Sequence, residues 1–150
     1  MKIADKRSRL KIPHDQRSPP RVVEAANKMA IDLWGSALSF DQAASHLSVI
    51  SVGGKTLPFN AFCHQPRACG VDMFRQWSSW ANNINYVYPP RPMLGRTATF
   101  LPTTRAKSIL VFKQPMPVSW WSFAVKPGAP GLVDSVIKHG FYIIAFDFSK

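Results

Sequence analysis

The stretch KSILVF, residues 107–112, carries four consecutive large apolar side chains after Ser108. Successive side chains of a strand point to opposite faces. A run with no polar face to turn to water has to be covered on both sides, as in the strands of parallel sheets flanked by helices. FYIIAFDF, 141–148, reads as a second strong strand of the same kind. Thirteen prolines fall between the apolar runs rather than in one block, which predicts many short elements with hard stops.

The other elements follow from periodicity. Ser18 before Pro19 and Pro20 predicts a helix start, with a capping hydroxyl and prolines in the first turn. Val22, Val23, Ala26, Met29, Ala30 and Leu33 then recur at helical spacing, and Gly35 ends the helix. ALSF leading to Asp41, SVISV before Gly53-Gly54, LPFNAF, and NINYVY before Pro89-Pro90 read as short strands. DQAASHL reads as a turn or short helix, GVDMFRQWSSW as a turn into a short helix, Met93 to Leu101 as a helix, and SWWSFAV as a short helix capped by Ser119. Strands alternating with short helices predict an α/β domain with parallel segments.

Composition narrows the function classes. With 46% apolar residues, ten Phe, five Trp and three Tyr, the chain can build a core. No apolar run approaches the length of a membrane span, and the basic N-terminus lacks the apolar stretch of a secretory signal. Cys63 and Cys69 are too few for a disulfide scaffold, so the expectation is a reduced intracellular setting, nuclear or cytoplasmic, without a membrane. Nineteen Lys and Arg against eight Asp and Glu give +11. Such a field attracts polyanions, with nucleic acid first among them. Residues 1–20 read as a basic arm, in which Lys6, Arg7, Arg9, Lys11 and Arg17 would meet phosphates, and residues 21–150 as the folded domain.

Several familiar chemistries lack their residues. VGGKT, 52–56, ends like a phosphate-binding loop, but Val49 stands where the first glycine belongs, so it reads as a hairpin or turn. Cys63, His64 and Cys69 have no second ligand pair for zinc. No nucleophile elbow occurs. Asp41, Asp72, Asp134 and Asp147 lie near predicted strand ends, where ligands of α/β sheets bind, although each alone reads first as a helix cap. FRQWSSW and FKQPMPVSWW mix aromatic and basic residues. They read first as core and second as base-stacking surfaces.

Taken in order, GSALSFDQAAS, FNAFCHQPRACGVDMFRQW, NYVYPPRPMLGR and AKSILVFKQPMPVSWW resemble the segment of DIRS-type tyrosine-recombinase retrotransposons that is similar to phage-type DNA N6-adenine methyltransferases. ADKRSRL, 4–10, resembles the ribonuclease H tail that precedes that segment. The resemblance covers roughly residues 34–125 and implies a three-layer, Rossmann-like methyltransferase fold, possibly truncated, with a mixed and mostly parallel sheet. It implies a site for S-adenosylmethionine at Asp41, Ala44, Ser45 and Asp72, and a catalytic turn at Tyr88, Pro89, Pro90 and Arg91. It also implies a nucleic acid partner, DNA ahead of RNA, with Arg91 and Arg96 among its contacts.

The family's turn is Asn/Asp-Pro-Pro-aromatic. The acid or amide accepts hydrogens from the adenine amine, and the ring stacks on a base extruded from the helix. Here Tyr88 replaces the acceptor and Arg91 the ring, while Gln42 and Ala43 replace the residues after Asp41. The expectation is therefore a nucleic-acid-associated domain without methyltransferase activity. Two alternatives stand beside it: a working adenine methyltransferase, and a basic structural module.

Overall fold

The computed structural model describes residues 17–45, 47–61, 67–115 and 126–150. Its elements in chain order are α1 (Pro20–Trp34), β1 (Phe40–Asp41), β2 (Ser51–Val52), β3 (Lys55–Thr56), β4 (Asn60–Ala61), β5 (Gly70–Val71), α2 (Trp77–Ala81), β6 (Ile84–Val87), α3 (Leu94–Phe100), β7 (Lys107–Lys113), β8 (Leu132–Lys138) and β9 (Phe141–Asp147). One-turn 3-10 segments, Met73–Arg75, Arg91–Met93 and Leu101–Thr104, join some of them.

The main sheet has the order β1-β6-β7-β9-β8. Strands β1, β6 and β7 run parallel, and β9 is antiparallel to both β7 and β8. The parallel pair β4–β5 meets the outer edge of β1 through a single parallel bridge, Asp41 to Phe59. The Asp41 amide donates to the Pro58 carbonyl at 3.0 Å, and the Ala44 amide to the Asn60 carbonyl at 3.1 Å. Backbone pairing therefore runs in the order β5-β4-β1-β6-β7-β9-β8. From β1 the chain first moves outward to β4 and β5, then returns to the other side of β1 for β6 and β7.

Strand β7 shows why a continuous apolar run demands two covering layers. Ile109 and Val111 pack with Val22, Val23, Ala26, Met29 and Ala30 of α1, together with Phe141, Ile143 and Ala145 of β9. Leu110 and Phe112 pack on the opposite side with Phe74, Trp80, Leu94, Leu101, Ile144 and Phe146. The result is helix, sheet, helix. At 25 cal/mol per Å², each fully buried side chain of this kind contributes about 1.5–3 kcal/mol.

Several expectations hold and others are corrected. Helix α1 begins at Pro20 and ends at Gly35, whose left-handed φ of 72° lets its amide reach the Ile31 carbonyl at 2.8 Å. Ser18 does not cap it. The cap position is Pro19 and has no side-chain bond, because the Ser18 hydroxyl instead accepts from the Tyr86 phenol at 2.7 Å. The 52–56 segment is a hairpin turn joining β2 to β3. Strand β8 is an element the sequence reading missed. Its exposed Val133, Asp134, Ser135, Ile137 and Lys138 hide the alternation that marks a half-buried strand. The five-strand sheet is mixed, with two parallel and two antiparallel pairings. The turn at His139-Gly140, with φ of 55° and 79°, was the available signal for the hairpin. The SWWSFAV helix and residues 1–16 of the arm lie outside the described residues.

Gly131, just before β8, also has a left-handed φ of 75°, and an added Cβ would lie 2.1 Å from the Phe148 ring. That ring is stacked on Phe146 with centroids 5.8 Å apart. Gly131→Ala is expected to lower stability by about 1–3 kcal/mol, read as a reduced urea midpoint, because it adds backbone strain and displaces the stack. An unchanged midpoint would mean that the ring moves freely.

Candidate functional site

In open α/β sheets ligands collect outside the carboxyl ends of strands, where the chain's direction of travel across the sheet reverses. Here that point lies between β1 and β6. The residues at this end are Asp41 with the loop after it, and Tyr88-Pro89-Pro90 after β6.

Asp41 is 2% exposed. Its Oδ2 accepts the Ile50 amide at 3.1 Å and its Oδ1 accepts the Ala43 amide at 3.4 Å. Burial raises its pKa from 3.8 to about 7, against the lowering effect of those two amides. Ser45 closes the same loop, its hydroxyl accepting from the Leu47 and Ser48 amides at 3.1 and 3.2 Å. Ala44 is buried under Phe59 and Ala61. Asp72 follows β5, two strands from Asp41 across the sheet and three residues further along it. It caps the next 3-10 turn by accepting from the Phe74 amide at 3.1 Å, and it lies 3.7 Å from the Arg75 guanidinium.

These four positions were expected to hold S-adenosylmethionine. Asp41 and Ser45 turn their side-chain oxygens to amides of their own loop, at Ala43, Ile50, Leu47 and Ser48, and the Ala44 amide pairs with β4. Asp72 alone keeps partial exposure. Of the other acids, Asp134 lies within the exposed β8 rather than at a strand end, and Asp147 ends the antiparallel β9 beside Lys107. Asp147 is therefore at the opposite end of the sheet from Asp41.

The Pro-Pro turn occupies the carboxyl end of β6. Tyr88 packs edge-on against Phe141, with ring centroids 5.9 Å apart, and burial raises its phenol pKa. Arg91 donates from Nη1 to the Lys113 carbonyl at 2.9 Å and from Nη2 to the Pro115 carbonyl. Tyr88, Pro89, Arg91, Phe112, Lys113 and Gln114 line most of a cleft of about 200 Å³. That is below the roughly 300 Å³ at which small-molecule pockets begin. A second cleft, of about 310 Å³, lies where the start of α1 meets the loop at 47–51.

Beneath this end of the sheet lies a buried polar network that the sequence reading did not single out. Gln42 Nε2 donates to Asn85 Oδ1 at 2.9 Å and to Ser79 Oγ at 3.1 Å. Asn60 Nδ2 donates to Gln42 Oε1 at 2.7 Å and to Ser79 Oγ at 3.0 Å. Asn85 Nδ2 reaches the carbonyls of Trp80, Asn83 and Lys107 at 3.0–3.1 Å. The signal was an amide inside or just after each of three neighbouring short strands, FNAF, INYV and FDQ.

Three of the expected cations, Arg17, Arg91 and Arg96, fall within the described residues. Lys6, Arg7, Arg9 and Lys11 lie outside the described residues, and Arg17 is exposed beside Ser18. Arg96 is exposed on α3 with its guanidinium 3.9 Å from the centre of the Phe74 ring. Cys69 is an exposed free thiol, while Cys63 and His64 lie outside the described residues. No described helix is long and apolar enough to cross a membrane. No family model, curated protein or solved structure gives a significant match to the chain.

Proposed function

We propose that this chain is a nucleic-acid-associated, catalytically inactive domain of the DNA adenine methyltransferase type, with a Rossmann-like sheet. The observation that carries the reading is the placement of Tyr88-Pro89-Pro90-Arg91 at the carboxyl end of β6, beside the point where the chain reverses across the sheet. The resemblance assigns the catalytic turn to that position.

The side chains there account for inactivity. The Tyr88 phenol sits about three bonds further from the backbone than an Asn oxygen and packs against Phe141. The Arg91 guanidinium is held by two main-chain carbonyls. A misplacement of about 1 Å at a reacting centre can cost on the order of 100-fold. The Asp41 carboxyl and the Ser45 hydroxyl, two of the side chains the resemblance assigns to the methyl donor, are engaged with amides of the loop after β1. Nucleic acid association rests on the charge of +11. Only five of the nineteen cations precede Arg17, so the domain itself stays basic.

The expected result is no transfer of labelled methyl groups from S-adenosylmethionine to adenine in single-stranded or duplex DNA, and no rise in melting temperature with that donor. A ligand bound only by the folded state must raise it. Binding of DNA should weaken steeply with salt, the logarithm of affinity falling by about 0.7–0.9 per phosphate contacted. Methyl transfer by the natural protein would overturn inactivity, and salt-independent or absent DNA binding would overturn the association. Tyr88→Asn with Arg91→Phe restores the family's turn and tests whether those two positions alone account for the loss.

A further inference from the structure

The surface formed by α2 and α3 carries an exposed aromatic ring on a fixed support. Trp77, the first residue of α2, is 59% exposed, whereas Phe74 and Trp80 from the same stretch are buried. Its ring lies against Phe100, with centroids 5.6 Å apart and planes tilted by 55°. Phe100 is itself held edge-on by Phe74 at 5.1 Å and by Trp80 at 5.7 Å. The indole therefore has little freedom to lose when something stacks on its open side. Arg96 lies one helical turn before Phe100 on α3 and Arg75 lies two residues before Trp77, so both arginines share this surface. Arg96 is exposed, with its guanidinium carbon 3.9 Å from the centre of the Phe74 ring. Arg75 has an 83% exposed side chain and only a loose ion pair with Asp72. The acid in the patch, Asp72, accepts the Phe74 amide at 3.1 Å.

From this arrangement we infer that the Trp77 patch stacks an unpaired base of a single nucleic acid strand, with Arg75 and Arg96 meeting the flanking phosphates. Every base has a π-face, so such a platform reads no sequence. A duplex hides those faces, so the platform favours single strands. The inference deepens the nucleic-acid reading above and rests on it. It is independent of the Pro-Pro turn, since it uses neither Tyr88 nor Arg91. Charge complementarity selects the partner: an aromatic face that shares its surface with two arginines suits a base and its phosphates better than it suits an apolar protein surface.

The test compares the full-length natural protein with Trp77→Ala, Trp77→Phe and Arg96→Gln. Fluorescence anisotropy is read with a labelled thymidine dodecamer and with a duplex of the same length. Trp77→Ala is expected to weaken single-strand binding by at least about 5-fold, the lower end for loss of one stacked base. Duplex affinity should change far less, and Trp77→Phe should retain most of the natural affinity. Arg96→Gln should lower the single-strand salt slope by about 0.7, while Trp77→Ala leaves that slope unchanged. Unchanged single-strand affinity in Trp77→Ala overturns the platform alone, leaving nucleic acid association in place. Equal losses on single strand and duplex also overturn it, as does a change of oligomeric state on substitution without a change in DNA binding. If the natural protein binds neither DNA, the association reading fails and the platform with it. Unfolding curves of the variants separate binding loss from misfolding. Trp77→Phe keeps an aromatic contact with Phe100 should the alanine variant unfold.

Discussion

Asp41→Asn is expected to remove a loss of stability of on the order of 4 kcal/mol that the natural protein suffers between about pH 4 and pH 8. The unfolded chain releases this proton near its ordinary value of 3.8, while the folded chain holds it to about 7 because the carboxyl is buried. Below the unfolded value both states are protonated and ionisation carries no penalty. Between the two values the folded state binds a proton that the unfolded state has given up, so stability falls as pH rises, and above the folded value the loss is complete. Each pH unit between the two values is worth 1.36 kcal/mol, hence the magnitude. Asn keeps an oxygen for the Ile50 amide at nearly the same place, so the loop after β1 should hold. The measurement is urea denaturation of both proteins across that pH range. The difference between them should change sign or grow with pH, cancelling the other titrating groups. Parallel curves would mean that water reaches Asp41 and that the loop is not closed on it.

Asn85→Ala should cost about 3 kcal/mol or more. Asn85 is fully buried, and its amide joins Gln42 to the carbonyls of Trp80 in α2, Asn83 in the turn after it and Lys107 in β7. Truncation strips buried partners of their hydrogen bonds, and each unsatisfied group costs about 1–3 kcal/mol. Against a total stability of about 5–15 kcal/mol, that is a large share. Gln42→Ala alone should also destabilise, but the two changes together should cost less than their sum, because both remove the same 2.9 Å bond. Strict additivity in a double-mutant cycle would show that the network does not act as a unit.

The two proposals about function separate in these tests. Asp41 and Asn85 bear on whether the β1 end of the sheet is a sealed structural joint. The methyl-transfer assay bears on the Pro-Pro turn, and Trp77 on the outer surface of α2 and α3. A sealed joint with an intact platform would describe a domain that keeps the sheet and the nucleic acid contact while lacking the donor crevice.

Much of the fold was legible in local chemistry. KSILVF announced a strand covered on both faces. Pro20 and Gly35 bracketed α1, since one fixes φ for a first turn and the other takes the left-handed cap. Pro89-Pro90 ended β6. Strand β8 was not legible, because an exposed edge strand keeps no apolar face to mark it. The site was legible only as positions. From the residues alone, Asp41 read first as a helix cap and second as an acid at a strand end that holds a ligand, and Trp77 first as core and second as a base-stacking ring. Nothing local distinguishes a carboxylate that faces solvent from one enclosed by the amides of Ile50 and Ala43, or Trp77 from its buried neighbour Trp80, three residues away on the same short helix. Periodicity, proline and glycine act within a few residues, so the sequence by itself determined where most elements start and stop. Desolvation and hydrogen-bond partnership depend on segments far apart in the chain, so only the tertiary structure decided which polar groups are enclosed and which aromatic remains open to a partner.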